Sequence, residues 1–228
     1  MTGIFDSGVG GLAALAELRR LKPKADICYL ADSQNAPYGT KSKEQLRDLV
    51  CRDIDRLYAE GCENILIACC TASTVYSSLP AEYKRLSVPI IASSCRDAVK
   101  ISDSKKIGVI ATEATVASGS FQKEIKRICP SAEVISVAAQ CLVNIIEGGE
   151  CDENLSDSAR RMIEEQLLPF SRFGCDLLIL GCTHFTHIKG TAEQILKIKT
   201  LSPALVGAKL ISARTKNEGD GKTLYISL

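Results

Sequence analysis

The chain has 228 residues and a mass of 24.6 kDa, enough for one large domain or two smaller ones of roughly 110 residues each. With 46% hydrophobic residues it can bury a full core, and 28 basic against 27 acidic residues leave a net charge of +1, which argues against nucleic acid or an anionic membrane as partner. No apolar run approaches the length of about 20 residues that spans a bilayer.

In chain order, a short strand leads into Asp6-Ser7-Gly8-Val9-Gly10-Gly11, and this turn opens a helix. Its backbone amides can hold an anion such as a carboxylate, and a plain tight turn is an equal reading; Asp6 points from the strand end. Ile27 to Ala31, bounded by Asp26 and Asp32, predicts a buried strand. Pro37-Tyr38-Gly39-Thr40 predicts a turn. Ser42 then predicts the cap of a helix reaching Glu60, with Leu46, Leu49, Val50, Ile54 and Leu57 at helical spacing. Further strands are predicted at Ile65 to Ala68, Val88 to Ala92, Ile107 to Ala111, Val134 to Val137 and Leu177 to Leu180. Helices are predicted at Val116 to Ile128 and Asp152 to Arg172. Short, continuously apolar strands alternating with helices predict an α/β fold with parallel sheets covered on both faces.

An internal repeat sharpens this. Gly61-Cys62-Glu63-Asn64-Ile65-Leu66-Ile67-Ala68-Cys69 and Gly174-Cys175-Asp176-Leu177-Leu178-Ile179-Leu180-Gly181-Cys182 share one pattern, 113 residues apart, each after an amphipathic helix. The expected fold is two similar doubly wound parallel-sheet domains facing each other about a pseudo-twofold axis. Ligands in open α/β sheets bind beyond the carboxyl ends of the strands, where Cys69 and Cys182 both stand. Each is followed by residues that start helices, so the helix dipole is expected to lower both thiol pKa values from about 8.5 toward neutrality. Cys70 is a rival for the first thiol, but it aligns with Thr183, not with Cys182. His184 stands where an imidazole can exchange a proton with Cys182. No third residue that would orient it is apparent, which disfavours a thiol hydrolase. His187 is expected on a helix surface.

Eleven cysteines with no C-x-x-C pair and only two histidines do not support a structural zinc site, and the chain is too large to need a disulfide framework. Met1-Thr2-Gly3-Ile4-Phe5-Asp6 carries no basic flank or apolar h-region, so the expected location is the cytoplasm, with reduced thiols that are mostly small buried hydrophobes.

Four segments, Asp6-Ser7-Gly8-Val9-Gly10-Gly11-Leu12, Pro37-Tyr38-Gly39-Thr40-Lys41, Ala68-Cys69-Cys70-Thr71-Ala72-Ser73 and Leu180-Gly181-Cys182-Thr183-His184-Phe185, resemble in order and spacing the signatures of bacterial glutamate racemases. Ile107 to Thr112, with Thr115-Val116 and Ser118-Gly119 after it, and Glu147-Gly148 look like further family segments. The resemblance implies a cofactor-independent two-base racemase, without metal, that supplies D-glutamate for peptidoglycan. Its catalytic residues would be Cys69 and Cys182, with Asp6 assisting the first and His184 the second. Substrate contacts would fall on Asp6, Ser7, Tyr38, Gly39, Cys70, Thr71, Thr183 and His184. It also implies that residues 1–92 join 204–228 in the first domain, through a helix near Ala204 to Ala213 and a strand near Thr223 to Ser227, while 93–203 form the second. The partner is then a small amino acid, glutamate, with no nucleic acid and no membrane, and a homodimer is the assembly considered.

The sequence also departs from the family pattern. Cys70 replaces an Asn, and Phe121 a frequent Tyr. Ser93-Ser94-Cys95-Arg96 lacks a common Glu-Pro, Gln140 to Asn144 lose a proline-rich pattern, and Thr186 replaces a Pro. These departures keep two other readings open: a racemase for another amino acid such as aspartate, and a catalytically impaired descendant that binds an amino acid.

Overall fold

Two parallel sheets organise the chain, and the computed structural model describes all residues 1–228. The strands are β1 (Thr2–Asp6), β2 (Ile27–Ala31), β3 (Asn64–Ile67), β4 (Ser87–Pro89), β5 (Lys106–Ala111), β6 (Glu133–Ala138), β7 (Leu177–Gly181), β8 (Lys199–Leu201) and β9 (Thr223–Ser227). The first sheet runs β4-β3-β1-β2-β9 and the second β6-β5-β7-β8, and every pairing is parallel. Strands β1 and β7 are buried along their whole length, as continuous apolar runs covered on both faces require. Register aligns Phe5 with Ile67 in the first sheet and Ala111 with Gly181 in the second. The chain therefore leaves the sheets at Asp6, Cys69, Thr112 and Cys182 on the carboxyl side of each.

The helices are α1 (Leu12–Leu21), α2 (Lys43–Ala59), α3 (Cys70–Ser73), α4 (Ala81–Leu86), α5 (Ile91–Ile101), α6 (Glu113–Ser118), α7 (Ser120–Ile128), α8 (Gln140–Glu147), α9 (Asp157–Phe173), α10 (Lys189–Leu196) and α11 (Pro203–Ser212). Ser42 caps α2 with a reciprocal capping box: its hydroxyl accepts from the Gln45 N–H at 3.2 Å, and its own N–H donates to the Gln45 side chain at 2.9 Å. Such a cap is worth about 1 kcal/mol. No helix is long and apolar enough to cross a membrane.

Three apolar clusters fill the interior. One of 15 buried residues lies around β1 to β3 and α2, and another of 15 around β7, α8 and α9. The third, of 27 buried residues, joins Ile4 and Leu66 of the first sheet to Ile107 and Leu177 of the second through α1, α5 and α11. The two sheets thus share one core on one side, and between their carboxyl ends they leave a cavity.

Several sequence expectations shift. The strand predicted to run to Ala92 ends at Pro89, because the Ile90 N–H donates to the Ser73 hydroxyl at 3.3 Å and leaves the ladder as α5 begins. The helix predicted from Val116 to Ile128 is two helices, α6 and α7, separated at Gly119, whose φ of +64° breaks the helical run. Asp152 lies outside α9, its carboxylate accepting from the N–H groups of Gly190 and Thr191 at the start of α10. Strand β8 is only three residues long, and α8 is eight residues with no side-chain cap at Ala139 to announce its start.

Candidate active site

The cavity between the sheets is lined by Ser7, Ala36, Pro37, Tyr38, Gly39, Cys69, Cys70 and Thr71 from the first half, and by Thr112, Gln140, Val143, Glu147, Cys182, Thr183 and His184 from the second. Its volume is small, about 20 Å3, close to what one water needs. Cys69 sits at the N-cap of α3, where its Sγ accepts from the Ala72 N–H at 3.5 Å and lies 3.7 Å from the Ser7 hydroxyl. Across the cavity the Cys182 Sγ lies 3.5 Å from Nδ1 of His184, whose Nε2 is 3.2 Å from a Glu147 carboxylate oxygen. Thr71, Thr112 and Thr115 form a buried triangle of hydroxyls 2.9–3.1 Å apart, tying α3 to α6 across the two halves. The Gln140 Oε1 is buried without a hydrogen-bond partner, an arrangement that costs about 1–3 kcal/mol in a closed protein interior.

A family model described as Asp/Glu/Hydantoin racemase matches residues 11–211. The chain is 37% identical over 197 residues to a glutamate racemase of Desulforudis audaxviator, covering 85% of this chain and 70% of the relative. To a glutamate racemase of Aquifex aeolicus it is 34% identical over 221 residues, 96% of this chain and 85% of the relative. The chain belongs to the Asp/Glu/Hydantoin racemase family. It is a racemase, an isomerase. Among solved structures, a Francisella tularensis glutamate racemase in complex with D-glutamate superposes with a TM-score of 0.87 at 28% identity, covering 99% of this chain and 87% of that one. An aspartate racemase of Picrophilus torridus superposes at 0.68 with 18% identity, a likeness of fold alone.

In this racemase the residues singled out from the sequence line one cavity, except Asp6, which is fully buried behind it, and there are three differences in role. First, the two thiols are not poised near neutrality. Burial pushes Cys69 up to about 12, the nearby Asp6 charge adds to this, and the Ala72 and Ser7 contacts offset only part of it. Cys182 is pushed up further, by burial and then by the facing Cys69. The single turn of α3 and the 3-10 turn Thr183–Ile188 are too short for the helix dipole to outweigh desolvation. Second, Asp6 makes no hydrogen bond to Cys69. Its carboxylate accepts from the Gly8 and Gly11 N–H groups at 3.3 and 3.1 Å and from the Thr183 hydroxyl at 3.4 Å. The glycine-rich turn thus spends these two amides on Asp6 itself, not on a ligand, and burial raises the Asp6 pKa. Third, the Tyr38 hydroxyl is turned away from the cavity, 2.5 Å from Asp32 and 2.7 Å from Asp53, while Arg52 pairs with both carboxylates.

His187 is exposed, as expected. The sequence reading missed Glu147 as the partner of His184, because a half-exposed acid 37 residues away announces no contact. It also missed Thr112, Val143 and Gln140 as wall residues. The departure from a proline-rich pattern at Gln140 was the available signal.

Proposed function

We propose that this racemase interconverts L- and D-glutamate by a two-base mechanism in which Cys69 and Cys182 act on opposite faces of the α-carbon. The observation that carries the reading is that two free thiols, leaving equivalent strands of two sheets, line one cavity from opposite halves. Inversion requires one group to take the α-proton while another delivers a proton to the other face. In one direction the Cys69 thiolate removes the proton, the electron pair is held at the α-carbon and its carboxylate, and the Cys182 thiol returns a proton. The reverse direction exchanges the roles and leaves the same net proton count.

The raised thiol pKa values make the thiolate the scarce species, so each thiol needs local support, either a proton acceptor or groups that stabilise the charge on sulfur. For Cys182 that is His184, whose Nδ1 lies 3.5 Å from the sulfur and would accept the thiol proton in the tautomer that carries hydrogen on Nε2, the nitrogen 3.2 Å from Glu147. For Cys69 the contacts are the Ser7 hydroxyl and the Ala72 N–H, both of which stabilise negative charge on sulfur. Asp6 is a positioning residue that holds the β1–α1 turn and Thr183. The Thr71 hydroxyl and amides near Gly39 would receive substrate carboxylates. A cavity this small admits glutamate only when the two halves part. Residues 1–92 with 204–228 would move against 93–203, a division favoured by the pairing of β9 with β2. The family's activity would supply D-glutamate for peptidoglycan, in the cytoplasm and without a cofactor.

Incubation with L-glutamate, D-glutamate and both aspartate enantiomers in D2O, followed by NMR of the α-proton, tests this. Exchange with glutamate and growth of the opposite enantiomer is the expected result. Exchange confined to aspartate would transfer the mechanism to another substrate, and no exchange with either would end the proposal.

A further inference from the structure

Gln140 opens α8 on the second half and projects its carboxamide into the wall opposite the Pro37–Thr40 turn. Its Oε1 would meet a Cβ built on Gly39 at 2.6 Å, and the Thr112 side chain would meet the same Cβ at 3.1 Å. The carboxamide, the Gly39 backbone and Thr112 therefore form one corner of the cavity, and it is not the corner of the thiols' own partners. Cys69 rests on Ser7 and Ala72, Cys182 on His184, and Asp6 is joined to Thr183.

If the α-carbon lies between the two sulfurs, as the proposed mechanism requires, the Gly39–Thr112–Gln140 corner is the part of the same lining left for a substrate side chain. The carboxamide there has an oxygen that is buried and unpartnered, and a buried polar group without a partner calls for an explanation, which a bound substrate group would supply. Its last torsion is soft and roughly two-fold, so it can present the two N–H donors as readily as the acceptor. Glycine at 39 keeps the turn from filling this corner, since any larger residue would meet Oε1.

We propose that Gln140 is a specificity-determining residue that donates a hydrogen bond to the distal carboxylate of the substrate side chain. The inference rests on the racemase reading above. A neutral amide there accepts a side-chain carboxylate, whereas an acid would repel it and favour a neutral side-chain amide. In this role Gln140 acts on binding of the side chain and not on proton transfer at the α-carbon.

The test is steady-state kinetics of the full chain and of Q140L and Q140E with glutamate and glutamine, alongside thermal unfolding of each variant. The parent chain's α-proton exchange with glutamate first establishes the activity; its absence would count against the racemase reading and leave nothing for Gln140 to select. With activity in hand, Q140L is expected to raise KM for glutamate about tenfold, the value of one lost hydrogen bond to a charged group, with kcat within about twofold. Q140E is expected to lower the ratio of kcat/KM for glutamate over glutamine by about a hundredfold, through like-charge repulsion in a buried corner. An unchanged KM in Q140L, or equal losses for both substrates in Q140E, would overturn the proposal; equal losses would place the carboxamide at the α-carboxylate or in a merely structural role. Should Q140L fail to fold, the substrate ratio in Q140E decides alone.

Discussion

The two repeated segments end alike and are then supported differently. Helices α2 and α9 are each 17 residues long, and each is followed by a glycine in the left-handed region, Gly61 at φ +82° and Gly174 at +71°. Each then buries a cysteine, Cys62 or Cys175, and enters a strand paired on both sides. After the second cysteine the symmetry stops. Cys69 caps a turn of α-helix through its sulfur and is held by an amide and a hydroxyl, while Cys182 starts a 3-10 turn with no side-chain cap bond and faces an imidazole backed by a carboxylate. A duplicated frame thus brings two like thiols to one cavity, yet each is served by its own means of handling a proton.

The largest test of this comparison removes the thiols. Cys69→Ser and Cys182→Ser are each expected to lower racemisation by about 10³-fold or more, within the range for loss of an acid–base group. Each is also expected to retain α-proton exchange in D2O from only one enantiomer, because one base remains. Exchange of both enantiomers in either variant would mean that the two thiols do not act on separate faces.

Alkylation comes next in size. With its pKa raised to about 12, Cys69 is a neutral thiol at pH 7, and its reaction with iodoacetamide should quicken about tenfold per pH unit until the pH approaches that value. Cys129, solvent-accessible and lowered by its Ser131 contact, should react first, by about 10³-fold at pH 7. Peptide mapping by mass spectrometry reads the order directly. Equal labelling of Cys69 and Cys129 at pH 7 would show that the site supports the Cys69 thiolate far better than its burial allows.

The unlike supports differ in expected cost. His184→Asn should reduce kcat/KM about 100-fold, equally for both enantiomers because their equilibrium constant is fixed. Ser7→Ala should cost about threefold, the loss of one weak contact to sulfur. Comparable losses in the two variants would erase the asymmetry. Smallest is the shared frame: Gly61→Ala and Gly174→Ala should each lower stability by about 1–2 kcal/mol in chemical denaturation, with activity retained in the folded fraction. A cost at one glycine alone would show that the two helix ends are not equivalent.

Much of this architecture is legible from residue pattern. The apolar runs at Ile27 to Ala31 and Leu177 to Leu180 have only one comfortable placement, and Ser42 with Gln45 announces the start of α2. The paired Cys69 and Cys182 follow from a repeat whose register survives in three dimensions. What the pattern hides depends on contacts between distant residues. Desolvation of a thiol is set by the opposite half of the molecule, so the dipole argument alone pointed the wrong way for Cys69. The Tyr38 hydroxyl follows Asp32 and Asp53, whose positions on a loop and on α2 meet only after folding. Glu147 and Gln140 reach the cavity because α8 packs beside the turn after Cys182, an adjacency no local spacing encodes.

The 27-residue cluster shared by both sheets carries a thermodynamic consequence. Ile4 and Leu66 are buried together with Ile107 and Leu177, so unfolding either half alone would bare apolar surface on the other. The halves should therefore melt in one transition, with the calorimetric enthalpy matching the van't Hoff value, although the chain repeats its pattern once. A fragment carrying only 93–203 would expose its side of that cluster and should not persist as a folded monomer. The two repeated frames share a common interior, which makes them a single cooperative unit.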